Sequence, residues 1–230
     1  MIPSPFKPPI VFSVTSTQEE TYPLHPEEEK LVSPKAIEKR RRQFMLGRAA
    51  AHKALAQILG PDRIPILKTE RGEPLWPQGI VGAITHSGDT AIAAVARSGE
   101  VSGIGIDLEQ ADRNVSFGIS RHICTSSEME WVKQDEASTD RRLKMIFSAK
   151  ESIYKALYPI EKVELGFMDA DLIWDPLLKV FRGKLLKSAG KGYPSGLDFI
   201  VGCKLINRFI FSYISLPSDF MHLNLDLNSI

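Results

Sequence analysis

Hydrophobic residues follow two different spacings in the first hundred residues of the chain. A helical spacing begins after Ser33, which we predict to be the N-cap because Pro34 suits the first helical position. The helix is predicted to end at Gly60. Short apolar runs bounded by polar residues predict strands at residues 10–14, 64–67, 80–84 and 91–96, with a turn at residues 85–89.

The second half of the chain also places helices before a run of strands. After a predicted buried strand at residues 101–108, helices are expected from about residue 126 and over residues 139–157, closed by Pro159. Alternating segments predict antiparallel strands at residues 171–174, 179–185, 197–206 and 208–215, with Asn207 in a tight turn and a loosely held tail from Pro217. The pattern indicates an α+β protein of two similar halves that join near residues 98–103.

Composition narrows the class of protein without indicating a partner. The chain has 230 residues, 43% of them hydrophobic and 25% charged, which is ordinary for a globular protein with a genuine core. Its net charge of +1 gives no overall attraction to nucleic acid or membrane. Two cysteines, Cys124 and Cys203, are too few for a disulfide scaffold and predict buried thiols in a cytoplasmic protein. No stretch is apolar enough for a membrane helix.

The candidate chemistry lies in two short segments. Asp107 and Glu109, at positions i and i+2 of a strand, project from the same face of its polar end. Glu151 and Lys155, at i and i+4, share one face of a helix, and Lys150 precedes them. Three carboxylates from two elements suit a hard cation such as Mg²⁺ that also binds phosphate oxygens. The lysines beside them could neutralise phosphate charge.

Each feature, taken alone, has a purely structural explanation. An Asp-x-Glu pair at a strand end is usually a solvated turn, and a Glu-Lys pair at i and i+4 is a common helix stabiliser of about 0.2–0.5 kcal/mol. The basic run at residues 39–42 is most often a solvated helix face, and His86 can serve as a turn cap. Only the combination of these segments therefore indicates a function.

That combination resembles the 4'-phosphopantetheinyl transferases of the surfactin- and enterobactin-synthetase type. Residues 105–109 (GIDLE) resemble the first metal motif of the family, and residues 147–155 (FSAKESIYK) resemble the second. Residues 71–77 (RGEPLWP) and 81–87 (VGAITHS) resemble its glycine-containing coenzyme A loop and its Ser/Thr-His turn. Residues 44–51 (FMLGRAAA) resemble the helix that carries a coenzyme-contacting arginine. The similarity covers about residues 40–160.

The resemblance implies transfer of the phosphopantetheine arm of coenzyme A to a serine of an apo acyl or peptidyl carrier protein, with release of 3',5'-ADP. By this resemblance Asp107, Glu109 and Glu151 hold Mg²⁺, with Mn²⁺ as a substitute. Glu151 takes the serine proton, directly or through a metal-bound water. Lys155 stabilises or protonates the departing phosphate, and Lys150 steadies the pyrophosphate.

The resemblance also implies the contacts of coenzyme A. Thr85 and His86 are expected to contact phosphate oxygens, and Arg48 with Arg71 to bind the 3'-phosphate. The remaining expected contacts come from the loop after Arg71: Gly72, which lets the backbone approach the adenine, Glu73 and Pro74. One departure from the family is His52, which stands where this branch often has a second arginine, so its contact with the coenzyme is expected to be weaker or to be made by a pH-dependent imidazole.

The implied fold is a pseudo-dimer of two similar α+β halves, with the active site in the cleft between them. Residues 1–102 are expected to form the coenzyme-binding half, and residues 103–230 the half with the metal and catalytic motifs. Because one chain completes the cleft, a cytoplasmic monomer that binds neither nucleic acid nor membrane is expected. The physiological pathway stays open.

Two other functions share part of this pattern of residues. A Mg²⁺-dependent nuclease also uses Asp-x-Glu beside a lysine, but Gln110 and Ala111 replace its usual Glu-x-Lys spacing. A non-catalytic coenzyme A or carrier-protein binding module has no need of all three carboxylates and Lys155. The products discriminate the three: 3',5'-ADP for the transferase, cut nucleic acid for the nuclease, and neither for the module.

Overall fold

The computed structural model describes residues 2–17, 23–112 and 117–218. These residues form two antiparallel sheets, each covered by one long helix, and a short two-stranded ribbon. The first sheet has three strands in the order β1-β5-β4, where β1 is Val11–Ser16, β4 is Ile80–Ser87 and β5 is Thr90–Arg97. Helix α2 (Glu38–Leu59) packs on this sheet through a row of alanines, and a short helix, α1 (Pro26–Glu29), precedes it. A two-stranded ribbon, β2 (Leu67–Lys68) and β3 (Pro74–Leu75), follows it.

The second sheet has five strands in the order β6-β10-β9-β8-β7. Helix α5 (Thr139–Glu161) covers β6 and β10, and two short helices, α3 (Ser120–Ile123) and α4 (Ser126–Lys133), precede it. The strands are β6 (Val101–Gln110), β7 (Ala170–Asp175), β8 (Val180–Leu185), β9 (Asp198–Ile206) and β10 (Phe209–Pro217). The α+β class and the antiparallel pairing are confirmed, as is the tight turn at Asn207, which has a φ of 54°.

The two sheets share a hydrophobic core. Strand β6 packs beside β4, and its Ile104 and Ile106 lie in one buried cluster with Ile92 and Ala94 of the first sheet and Phe211 of the second. The opposite face of β6 carries Gly103, Gly105 and Asp107 toward α5. Strand β6 therefore joins the helix of the second half to the sheet of the first.

Three predicted boundaries need correction. Ser33 is not the N-cap of α2, because Arg41 binds the carbonyls of Ser33, Pro34 and Ala36 in a preceding turn and the helix starts at Glu38. Pro159 lies inside the last turns of α5 rather than after the helix, which ends at Glu161. Thr85, His86 and Ser87 belong to β4 and not to a turn; the turn begins at Gly88, with a φ of 57°.

Two further sequence predictions are met only in part. From residue 219 the predicted tail lies outside the described residues. The strand predicted at residues 64–67 is reduced to the short β2 at its far end. Within the described ranges, no helix combines the length and the apolar character needed to cross a membrane.

Candidate active site

Glycine in β6 allows the two candidate segments to meet. A Cβ atom placed on Gly105 would lie 1.7 Å from the carbonyl oxygen of Ser152, and one on Gly103 would lie 2.5 Å from that of Ala156. Only glycine therefore permits α5 to approach β6 this closely. Asp107 stands two residues further along the same face of β6, beside the turn of α5 that carries Glu151 and Lys155.

Asp107 is the centre of the arrangement. Its side chain is 6% exposed, and Lys155 Nζ donates a 2.6 Å hydrogen bond to its Oδ1. Thr85 Oγ1 of β4 donates to the same oxygen at 3.5 Å and accepts from the backbone N–H of Leu108 at 3.1 Å. The carboxylate is thus held between the first half of the chain and α5.

Glu151 has the electrostatics of a proton acceptor. Burial raises the pKa of Glu151 above its ordinary value; the charge of Lys155 opposes this rise and that of Asp107 adds to it. The effect of Asp107 indicates that the two carboxylates act on each other across the gap between β6 and α5. Glu109 is half-buried on the same face of β6 as Asp107.

The predicted metal ligands only partly fit a cation in this arrangement. Among the described residues, no group of three histidine, cysteine, aspartate or glutamate side chains stands close enough to hold a metal ion. Asp107 Oδ2, however, is buried without a hydrogen-bond partner in the described part of the chain, and the ammonium of Lys155 occupies Oδ1. A buried carboxylate with one orphaned oxygen and a cationic neighbour is chemically suited to a hard cation.

His86 lies on the same strand as Thr85, beside the carboxylates. Burial, with smaller contributions from the positive charges of Arg40 and Lys155, lowers the pKa of His86 below its ordinary value. Its Nδ1 is buried without a hydrogen-bond partner in the regions described. His86 is therefore a neutral imidazole at pH 7 that has a polar atom available for a ligand.

Two cavities flank this group of residues. One, of about 320 Å³, is lined by Arg40, Arg48, Lys68 and His86, and also by Gly72 and Pro74 of the predicted coenzyme loop. The other, of about 460 Å³, contains Glu151 together with Tyr154, Leu165 and Phe167. The first cavity is cationic and the second is largely aromatic and aliphatic, with the carboxylates between them.

Sequence reasoning missed two cationic side chains in the first cavity. Arg40 belongs to the basic run that was judged a solvated helix face, and Lys68 stands on the short β2. Arg40, Phe44 and Arg48 recur at a spacing of four along α2, so all three face the cavity from one side of the helix. That spacing was the signal available in the sequence.

The ammonium group of Lys150 is fully occupied by partners within the protein. Its Nζ donates to Glu128 Oε2 at 2.7 Å and to the carbonyls of Ile123 and Phe167 at 2.9 and 2.6 Å. These acceptors use all three ammonium protons, and the side chain is 3% exposed. The charge of Lys150 is paired with Glu128 in this arrangement, and its predicted contact with a pyrophosphate stays a prediction.

The loop between β2 and β3 contacts the second half instead of lying open. Arg71 pairs with Glu164, and Glu73 accepts from Lys162 at 3.1 Å. Arg71 and Lys162 also both lie over the ring of Tyr158, at 5.7 and 5.2 Å from its centre. The Arg71–Glu164 pair is solvent-exposed, and such pairs contribute only about 0–1 kcal/mol. The predicted contacts of Arg71 and Glu73 with a coenzyme stay predictions.

Comparison with known proteins links both halves to one family. Residues 27–96 match the 4'-phosphopantetheinyl transferase N-terminal domain, and residues 103–201 match the 4'-phosphopantetheinyl transferase superfamily. Together these matches contain all of the candidate site residues.

The chain is similar to curated proteins that include two named 4'-phosphopantetheinyl transferase. The 4'-phosphopantetheinyl transferase Npt of Nocardia iowensis is 40% identical over 154 residues, which is 66% of each chain. Svp of Streptomyces mobaraensis is 38% identical over 168 residues, 71% of this chain and 66% of that one. Enterobactin synthase component D of Escherichia coli K12 is 33% identical over 136 residues, 59% and 62% of the two chains. The matches span less than two thirds of each of these relatives.

Proposed function

Because the chain belongs to the 4'-phosphopantetheinyl transferase superfamily, we propose that it transfers the phosphopantetheine arm of coenzyme A to a serine of an apo acyl or peptidyl carrier protein. The observation that carries the proposal is the convergence of Asp107, Glu151 and Lys155 between a cationic cavity and a largely apolar one. Coenzyme A has a matching order of groups: a phosphorylated nucleoside, a diphosphate and a long, weakly polar arm.

The cavities suggest how the coenzyme lies. Its 3'-phosphate is a dianion that needs several donors, and Arg40, Arg48 and Lys68 line the cationic cavity. The diphosphate then lies near His86, Thr85 and Asp107, where the N–H and O–H groups of the chain can reach its oxygens. The pantetheine arm extends past Glu151 into the cavity lined by Tyr154 and Phe167.

Asp107, Glu109 and Glu151 are the residues we propose to hold Mg²⁺. When bound there, Mg²⁺ supplies charge neutralisation to the diphosphate oxygens and makes the bridging P–O bond easier to break. Asp107 can offer its unpartnered Oδ2 to the cation while Lys155 stays on Oδ1. To reach the leaving phosphate, the ammonium of Lys155, one helical turn from Glu151, has to leave Oδ1.

The chain's own groups account for the proton transfers. The carrier serine hydroxyl loses its proton to Glu151, whose raised pKa suits a general base. The serine oxygen forms a bond to the phosphorus that bears the pantetheine arm, and the P–O bond to the other phosphate breaks. Lys155 stabilises the negative charge on the departing 3',5'-ADP, and the positively charged cavity retains its 3'-phosphate.

The test is intact-protein mass spectrometry of an apo carrier protein incubated with this protein, coenzyme A and Mg²⁺. A mass gain of one phosphopantetheine that EDTA abolishes, with one equivalent of 3',5'-ADP, supports transfer. Asp107→Ala and Glu151→Ala are expected to lower the rate by about a hundredfold or more while circular dichroism stays unchanged. Glu130→Gln, at an exposed carboxylate on α4, is the matched control and should retain full activity.

Other outcomes of this assay contradict the proposal. Full activity of Asp107→Ala or Glu151→Ala means that these carboxylates do not hold the metal. Cleavage of added nucleic acid without a mass gain indicates the nuclease, and coenzyme A binding without either product indicates the non-catalytic module.

His86 provides a separate test of the coenzyme position. His86→Ala removes a neutral imidazole that lines the cationic cavity, so the KM for coenzyme A is expected to rise while kcat changes little. Steady-state rates at several coenzyme A concentrations measure both constants. An unchanged KM would show that His86 is a structural part of β4.

A further inference from the structure

The acidic run at residues 27–29 contains one carboxylate whose burial none of the proposed chemistry explains. Glu27 and Glu29 are exposed, whereas Glu28 is 0% exposed. All three lie on α1, a helix of one turn whose N-cap is His25. A fully buried carboxylate on so short an element has to be held by specific partners, because desolvation otherwise disfavours its charge.

Glu28 is surrounded by N–H donors from three parts of the chain. His52 Nε2 of α2 lies 2.9 and 3.1 Å from its two carboxylate oxygens. The backbone N–H of Ile66 donates to Oε1 at 2.8 Å, and that of His25 donates to Oε2 at 3.1 Å. Although burial alone would raise it, these hydrogen bonds, with His52 the largest, leave the pKa of Glu28 below its ordinary value, so Glu28 is ionised at neutral pH.

The negative charge of Glu28 is directed at Arg48. Arg48 Nε lies 3.7 Å from Glu28 Oε1, a charge contact too long for a hydrogen bond. The Cζ atom of the same guanidinium lies 4.6 Å from the centre of the Phe44 ring. Nη2 of that guanidinium donates to the carbonyl of Leu67 at 3.3 Å. In the described part of the chain this is the one hydrogen bond of Arg48, which leaves Nη1 and a second Nη2 proton for the cationic cavity.

His52 has a different position from the one expected for it. The sequence suggested a weakened contact between this residue and coenzyme A, yet its Nε2 faces Glu28 and its side chain is 6% exposed. His52 therefore stands behind Arg48, one helical turn further along α2, and binds the carboxylate that Arg48 contacts. The chain forms a buried series from His52 through Glu28 to Arg48 and the cavity.

We propose that Glu28 is a positioning residue that orients Arg48 for a phosphate monoester dianion in the cationic cavity, the 3'-phosphate of coenzyme A under the proposed function. Glu28 and Leu67 hold the edge of the guanidinium formed by Nε and one Nη2 proton, so an N–H of Nη1 and the second N–H of Nη2 are left to project as a fork into the cavity. Such a fork can donate two parallel hydrogen bonds to one phosphate. Glu28 itself does not line the cavity and is not expected to touch the ligand.

Glu28→Gln is the informative variant because it removes the charge and keeps the size of the side chain. Glu27→Gln, at the exposed neighbour on the same helical turn, is its matched control. Titration calorimetry with coenzyme A and with 3'-dephospho-coenzyme A separates orientation of the phosphate site from general stability, because only the first ligand carries the 3'-phosphate.

The expected result is selective. Glu28→Gln should weaken coenzyme A binding by about tenfold and change binding of the dephosphorylated analogue by less than about twofold. Arg48→Gln should show the same selectivity, and the double variant should be no worse than Arg48→Gln, since Glu28 acts through Arg48. Glu27→Gln should bind both ligands as the unaltered protein does.

Three results would overturn the inference: equal weakening of both ligands, no weakening of either, or additive losses in the double variant. If Glu28→Gln does not fold, Glu28→Asp retracts the carboxylate while keeping its charge, and the same selectivity is expected to a smaller degree. The proposed function is judged separately by phosphopantetheine transfer in the unaltered protein. If the protein transfers phosphopantetheine but shows no preference for the 3'-phosphate, the positioning role of Glu28 is refuted and the proposed transferase activity is supported.

Discussion

Gly105→Ala should separate the two motifs of the candidate site without replacing any of its charged side chains. The added methyl carbon would lie 1.7 Å from the carbonyl oxygen of Ser152 and 3.0 Å from the amide nitrogen of Ala156. Real Cβ atoms essentially never approach closer than 3.0 Å, and both contacts are with helix backbone, which cannot rotate away. Helix α5 must therefore move from β6 by about 1.3 Å, the difference between 3.0 and 1.7 Å.

The displacement has two measurable consequences. Overpacking of this kind costs about 1–3 kcal/mol of unfolding free energy, which urea denaturation detects. A misplacement of about 1 Å can lower a rate by about a hundredfold, and here it moves Glu151 and Lys155 away from Asp107. Phosphopantetheine transfer, followed by intact-protein mass spectrometry, should fall far more than the stability loss alone explains at a temperature where the variant is folded.

Gly99 offers the matched control for this substitution. A Cβ atom on Gly99 meets nothing within 4 Å, and its backbone is outside the left-handed region, so Gly99→Ala should leave stability and transfer unchanged. If Gly105→Ala retained both the stability and the transfer rate of the unaltered protein, the close approach of α5 to β6 would not be what assembles the site.

Three further predictions concern buried groups. Lys150→Met should destabilise the fold by about 3–5 kcal/mol at pH 7, and adding Glu128→Leu should restore much of that loss in urea denaturation. Burial raises the pKa of Glu128, and the charge of Lys150 opposes that rise. Removal of Lys150 leaves a buried carboxylate that can take up a proton as the pH falls, so the cost of Lys150→Met should be smaller at pH 5 than at pH 8, and a pH-independent cost would contradict this. Burial raises the pKa of Cys124 to about 11 and that of Cys203 to about 12. Neither thiol should therefore react with iodoacetamide at pH 8 until the protein is unfolded in urea, and peptide mass mapping measures this.

Local sequence patterns predicted much of the architecture because they report local physics. Alternation placed β8, β9 and β10 to within a few residues, and the tight turn at Asn207 was expected from its position between two strands. The motifs also placed Asp107 and Lys155 in one site, and the structure brings them into hydrogen-bond contact. For the strands and the turn, neighbouring residues of the chain determine the result, whereas the contact between Asp107 and Lys155, which are 48 residues apart, was expected from the family resemblance.

Tertiary contacts decided the features that the sequence analysis missed. Lys150 precedes Glu151, but adjacent residues on a helix point about 100° apart, so their side chains enter different environments. Lys150 meets Glu128, and Glu28 meets the backbone of Ile66, at separations of 22 and 38 residues. No periodicity in a single sequence specifies such pairs, because their free energy depends on burial that exists only after folding.

The start of α2 shows the same limit at a smaller scale. Ser33 followed by Pro34 is a favourable helix start by local criteria. In the structure the side chain of Arg41 binds the carbonyls of this segment and stabilises a separate turn before the helix. A side chain five to eight residues further along the chain therefore competes with local capping, and it wins because it satisfies several backbone acceptors at once.

Thr85 explains why the candidate site depends on both halves of the chain. Its hydroxyl accepts from the backbone of Leu108 and donates to Asp107, so a residue of the first sheet contacts both the strand and the carboxylate of the second. The same β4 carries His86 into the cationic cavity, while α5 carries Glu151 into the apolar one. A ligand that spans both cavities must then cross the β4–β6 junction, where the hydroxyl of Thr85 and the ammonium of Lys155 together hold the central carboxylate. Because Asp107 Oδ2 has no partner among the described groups, a ligand or cation at that junction gains an interaction that the chain itself does not supply.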